Sequence, residues 1–118
     1  MTTTSTHDLY RRWLAELWGG RPGAAGELVT EDFVGHWPGR EVRGPAELTA
    51  VVAETRGMFD SITFELQVGP LVDGDLVAAR WTGAGTTAQG STTFFGNDIL
   101  RTAGGRFAEY WVASSSGS

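Results

Sequence analysis

Phe94-Phe95-Gly96-Asn97-Asp98-Ile99-Leu100-Arg101 is the segment from which the rest of the chain is read. Its mixture of aromatic and branched residues reads as a β-strand. Side chains of a strand alternate between two faces, so Asp98 shares a face with Phe94 and Leu100. A carboxylate among such neighbours loses hydration, which disfavours its ionised form and raises its pKa. That is the preparation a proton-transfer group needs. The competing reading is an edge position where Asp98 meets water or an arginine.

Working outward, the same period of two recurs on both sides. Ile62 to Val68 is a half-buried strand, and Asp73-Gly74 is a turn signal. Leu76 to Thr82 and Thr92 to Arg101 are the next strands. Gly104-Gly105 turns the chain into a last strand, Phe107 to Val112. Before Asp60 the period is helical instead. Leu9, Tyr10, Trp13, Leu14, Leu17 and Trp18 recur at helix spacing. Ser5 with Asp8 suits a helix start, and Gly19-Gly20 suits its end. Pro22 opens a short second helix through Val29, followed by a short strand from Phe33 to Trp37. Pro45 suits the first turn of a third helix, with Leu48, Val51, Val52, Thr55, Met58 and Phe59 as its buried stripe. Met1 to Thr6 and Ser114 to Ser118 read as disordered. Helices followed by a run of antiparallel strands make an α+β fold, expected as a single domain over residues 1–118.

Composition removes several classes of chemistry. The 118 residues contain no cysteine, which excludes disulfides, thiolate catalysis and cysteine-ligated metals. All nine basic residues are arginine, so lysine Schiff-base chemistry is excluded too. The net charge of -5 and the lack of a basic cluster argue against nucleic acid as a partner. No signal peptide and no membrane-spanning segment is read, so a cytoplasmic location is expected. Two separated histidines make no zinc site, and no metal or cofactor is expected. Five tryptophans are a heavy aromatic load for the length.

Gly96-Asn97-Asp98-Ile99-Leu100-Arg101 followed by Gly105-Arg106-Phe107-Ala108-Glu109-Tyr110-Trp111 resembles the late signature of the SnoaL-like polyketide cyclases. These belong to the nuclear transport factor 2-like superfamily. Phe33-Val34-Gly35-His36-Trp37-Pro38 is similar to the family's aromatic-x-x-His-x-Pro strand, and Val42-Arg43-Gly44-Pro45 to the entry of its long helix. The family's Glu-His-Trp reads Glu109-Tyr110-Trp111 here. The resemblance implies a cone, with N-terminal helices packed on a curved, mainly antiparallel sheet. It also implies an intramolecular aldol-type ring closure on a polyketide without metal or cofactor. Asp98 matches the family's acid/base carboxylate.

Around Asp98, further residues are expected to contribute. His36 sits near the expected meeting of helices and sheet, and would form an acid/base pair with Asp98. Its other reading is a hydrogen-bonded histidine at a strand end. Arg80 shares a strand face with Thr82, and either binds a phenolate or enolate oxygen or forms an ion pair with Asp98 or Glu109. Trp13, Trp37, Phe33, Met58 and Phe59 are the expected lining of a cavity for a hydrophobic, polycyclic small molecule. The leading expectation is a cyclase or isomerase of natural-product biosynthesis, a homodimer through the outer sheet face. The alternatives are an enzyme that opens an epoxide, with Asp98 placing a water, and a non-enzymatic binding module.

Overall fold

The computed structural model describes residues 5–117, and the side chains of residues 5–115. Helix α1 (Thr6–Arg12) starts where Ser5 Oγ accepts the Asp8 amide at 3.0 Å. It widens into a π-helical turn, Trp13–Leu17, closed by Trp18 N–H on the Trp13 carbonyl at 3.2 Å. A 3₁₀ turn (Pro22–Ala24) and a single α turn, α2 (Ala25–Leu28), follow. Next come strand β1 (Val29–Trp37), strand β2 (Arg40–Arg43) and the long helix α3 (Gly44–Gly57). Four long strands complete the chain: β3 (Ser61–Asp73), β4 (Leu76–Thr87), β5 (Gly90–Ala103) and β6 (Arg106–Gly117).

The six strands form one open sheet in the order β2-β1-β6-β5-β4-β3. Every pair is antiparallel except β1 with β6. The helices cover one face, and the core lies between. Tyr10, Trp13 and Leu17 come from the first helical segment, Leu48 and Val52 from α3, and Val77, Leu100 and Phe107 from the sheet. This is the expected α+β architecture.

The strands are longer than the hydrophobic pattern alone indicates, because antiparallel pairing continues through polar residues once a neighbour supplies hydrogen bonds. β4 runs on through Gly83–Thr87 opposite Gly90–Phe94. Ser114 to Gly117 pair with Thr93 to Gly96 instead of forming a disordered tail. Thr6 belongs to α1, and the rest of the expected disordered start lies outside the described residues except for the cap Ser5. β2 was not expected, since four residues with one buried side chain, Val42, carry little periodicity. Helix α3 ends at Gly57, so Met58 and Phe59 leave its stripe, and Met58 is 62% exposed.

Candidate functional site

Asp98 stands in the middle of β5, paired with Ala79 of β4 and Val112 of β6. It is 1% exposed and is the buried charged residue of the core face. Three neutral donors reach its carboxylate. Trp81 Nε1–H (3.0 Å) and the Tyr110 hydroxyl (2.7 Å) donate to Oδ1, and the Tyr10 hydroxyl donates to Oδ2 at 2.8 Å. A carboxylate oxygen offers two lone pairs. Oδ1 is therefore filled, while Oδ2 keeps one acceptor position. Among the described residues no ion pair involves Asp98.

Burial dominates the electrostatics and pushes the Asp98 carboxyl up to about 6, with the three hydrogen bonds acting the other way. Burial, followed by the neighbouring carboxylate, raises both tyrosine hydroxyls well above their usual range. Both phenols therefore remain donors at neutral pH, and Asp98 is mostly ionised there.

The carboxylate opens on a cavity of about 430 Å³ between the helices and the concave sheet face. Its helical side is Leu14, Trp18 and Thr55, with Met58 and Phe59 just past α3. Its sheet side is mainly aromatic, with Phe64, Trp81, Phe94 and Tyr110, joined by Trp37. Thr92 and Ser114 add hydroxyl groups. The rings meet largely edge to face: Trp37 with Tyr110 at 5.0 Å, Phe64 with Trp81 at 5.4 Å, and Trp18 with Phe64 at 5.8 Å between centroids. Aromatic pairs favour this geometry because the ring edge is positive and the face negative.

Glycines make room for these rings. A Cβ at Gly96 would stand 2.2 Å from the Trp81 indole, one at Gly83 2.4 Å from Phe94, and one at Gly85 2.4 Å from Phe59. Gly96 faces Trp81 directly across the β4–β5 ladder. The indole thus lies over bare backbone, with its N–H at the next inward-facing residue, Asp98.

The structure brings together only part of the expected set. Asp98, Trp37, Met58 and Phe59 border the cavity. Trp13 and Phe33 are fully buried in the core instead, where Trp13 packs on Phe33, Phe107 and Tyr110. His36 faces the opposite side of the sheet, because its neighbours Gly35 and Trp37 take the inward positions of β1. It lies 2.7 Å from Glu109 Oε2 and stacks on Trp111 at 5.6 Å. The expected pairing of His36 with Asp98 is therefore not assembled.

Arg80 also points away from the cavity, since Trp81 beside it points in. It donates to Gln67 Oε1 at 2.7 Å and lies 4.3 Å over the Phe95 ring. It pairs with neither Asp98 nor Glu109, so neither expected ion pair is formed. Tyr10, Trp81 and Tyr110, the partners of Asp98, were missed as site residues. The available signal was the alternation of Trp81 and Gly83 against Phe94, Gly96 and Asp98, a large-on-small pattern across two strands.

No group of His, Asp and Glu among the described residues could hold a metal ion. No described helix is long and apolar enough to cross a membrane.

Comparison with known proteins places this architecture. Among solved structures, a candidate polyketide cyclase from Bacillus cereus ATCC 10987 is 29% identical, with a TM-score of 0.81 over 92% of this chain and 72% of that one. A candidate SnoaL-like polyketide cyclase from Jannaschia sp. CCS1 is 18% identical, with a TM-score of 0.81 over 98% and 90%. IdmH, a candidate polyketide cyclase from Streptomyces antibioticus, is 22% identical, with a TM-score of 0.77 over 92% and 90%. The last two likenesses speak for the fold alone. No curated protein matches the sequence. The model of the SnoaL-like domain matches residues 10–110, which runs from the tyrosine on Asp98 Oδ2 to the tyrosine on Oδ1. With most of the helices and sheet and the central aspartate inside that match, the chain belongs to the SnoaL-like domain family.

Proposed function

We propose that this protein is a cofactor-free cyclase or isomerase of natural-product biosynthesis, acting on a hydrophobic small molecule of the polyketide class with Asp98 as its general base. The observation that carries this reading is a buried carboxylate opening on an aromatic cavity, with a pKa of about 6 and one acceptor position left on Oδ2. A base poised near neutrality combines a large ionised fraction with useful proton affinity.

In the forward step, Oδ2 takes a proton from a carbon next to a carbonyl group. The C–H electron pair becomes the enolate. In a cyclisation, that enolate carbon attacks a second carbonyl of the same molecule, and the proton on Asp98 returns to the new alkoxide. In an isomerisation, the proton returns to a different carbon. Trp37, Met58 and Phe59 are proposed to hold the substrate by burial, and exclusion of water supports each charge-bearing step.

The outer sheet face supports a homodimer. Leu71, Ala78, Ile99 and Trp111 stand in one row across β3 to β6, at 63%, 48% and 37% exposure for Leu71, Ile99 and Trp111. An apolar row of this kind fits a second copy better than water.

General acid/base catalysis is worth about 100–10,000-fold, so Asp98→Asn should lose turnover of a polyketide ester by that order. Unchanged turnover in a folded variant rules the base role out.

A further inference from the structure

From the walls of the same cavity we infer that its ligand carries a protonated or quaternary amine, seated among the aromatic rings beside Asp98. The inference rests on the reading that this cavity is the ligand site. It does not require Asp98 to act as a base.

Three observations support it. First, Asp98 is the ionisable carboxylate of the cavity wall, and among the described residues its side-chain hydrogen-bond partners are neutral: Tyr10 from α1, Trp81 from β4 and Tyr110 from β6. No arginine or histidine is among the lining residues. Arg56, which follows the lining Thr55, donates to the Trp18 carbonyl at 2.6 Å. A negative charge is thus buried without a countercharge among the described residues, and a cationic ligand supplies one.

Second, the rings around it suit a cation. Trp37, Trp81, Tyr110, Phe64 and Phe94 line the space next to the carboxylate, and their edge-to-face contacts turn successive rings by 66° to 82°. Rings turned in this way surround a roughly spherical group on several sides. Aromatic faces attract cations, most strongly where water is excluded, and boxes of such rings hold alkylammonium groups. Third, the chain's net charge of -5 favours the approach of cations over anions.

The test uses two ligands of one shape, benzoylcholine and its uncharged isostere 3,3-dimethylbutyl benzoate. Binding to the full chain is read by calorimetry and by quenching of tryptophan fluorescence. The cation should bind about tenfold or more tighter than the isostere near neutral pH. In Asp98→Asn, with its fold checked by circular dichroism, that preference should shrink to what the rings alone supply. The wild-type protein gives an independent arm, because the quaternary ammonium has no proton to lose. Its affinity should fall as pH drops below about 6, while that of the isostere stays level. Equal or tighter binding of the uncharged ester, no detectable binding of the cation, or a cation affinity insensitive to pH overturns the inference. Any of these leaves the proton-transfer reading intact, since turnover of Asp98→Asn decides that separately.

Discussion

The indole of Trp81 fills the space that a side chain at position 96 would need, and this contact delivers its N–H to Asp98. The absence of a Cβ on Gly96 is therefore part of the electrostatics of the site. Gly96→Ala should displace the ring, cost about 1–3 kcal/mol of stability, and remove one of the three bonds that favour the Asp98 anion. Carbon-13 NMR titration of the carboxyl group should then place its midpoint above that of the wild type. An unchanged midpoint would show that the indole keeps its bond.

Asp98 also leaves a signature in the dependence of stability on pH. Its pKa in the folded state, about 6, lies above the ordinary carboxylate value of 3.8. The folded protein thus holds the extra proton more tightly than the unfolded chain does. This contribution is fully present below about pH 4 and is lost as pH rises through 6, amounting to about 3 kcal/mol. Urea denaturation at several pH values, wild type against Asp98→Asn, should show the wild type weakening relative to the variant over that window. Parallel curves would contradict a burial-raised pKa.

Under the proposed function, kcat/KM should rise with pH to a plateau, with its half-point near 6 as Asp98 ionises. Tyr10→Phe removes the donor on Oδ2 without altering the cavity wall. The half-point should move to higher pH, and the variant should lose about 1 kcal/mol of stability. Initial-rate measurements across the acid range check both curves, and coincident profiles would refute the role of Tyr10.

His36 gives the opposite expectation. It stands on the far face of the sheet, against Glu109 and Trp111. His36→Ala should leave turnover and its pH profile unchanged. A loss comparable to that of Asp98→Asn would mean that the outer face reaches the chemistry.

Trp111→Glu tests that outer face as a contact between copies. A charge placed in the row of Leu71, Ile99 and Trp111 should convert the proposed dimer to a monomer in analytical ultracentrifugation. A wild-type protein that sediments as a monomer at every concentration removes the proposal.

Much of this arrangement is legible in the sequence because strands obey a simple alternation. That rule places Phe94, Asp98 and Leu100 on one face and separates Arg80 from Trp81. Applied to Gly35-His36-Trp37 it also turns His36 away from Trp37, yet the apparent pairing of acid and base drew both toward one pocket. Helix spacing identifies Trp13 as inward-facing, but inward on a helix means core or cavity. Only the packing on Phe33, Phe107 and Tyr110 settles which. The partners of Asp98 were harder still. Tyr10 and Tyr110 lie 88 and 12 residues away along the chain, and no local pattern encodes their meeting. The continuation of β6 through Ser114 to Gly117 is likewise set by a neighbour's backbone, which side-chain patterns do not report.

The parallel junction of β1 with β6 has a consequence for how the molecule comes into being. Each strand from β4 to β6 docks on its predecessor, but β1 must wait for β6 before it joins them. One tyrosine on the aspartate precedes it in the chain and the other follows it, on β6 itself. Without β6 the carboxylate lacks the Tyr110 hydroxyl on Oδ1 and the strand beside it. The pocket is therefore complete only when the sheet is, because the strand that carries Tyr110 also joins β1 to the rest.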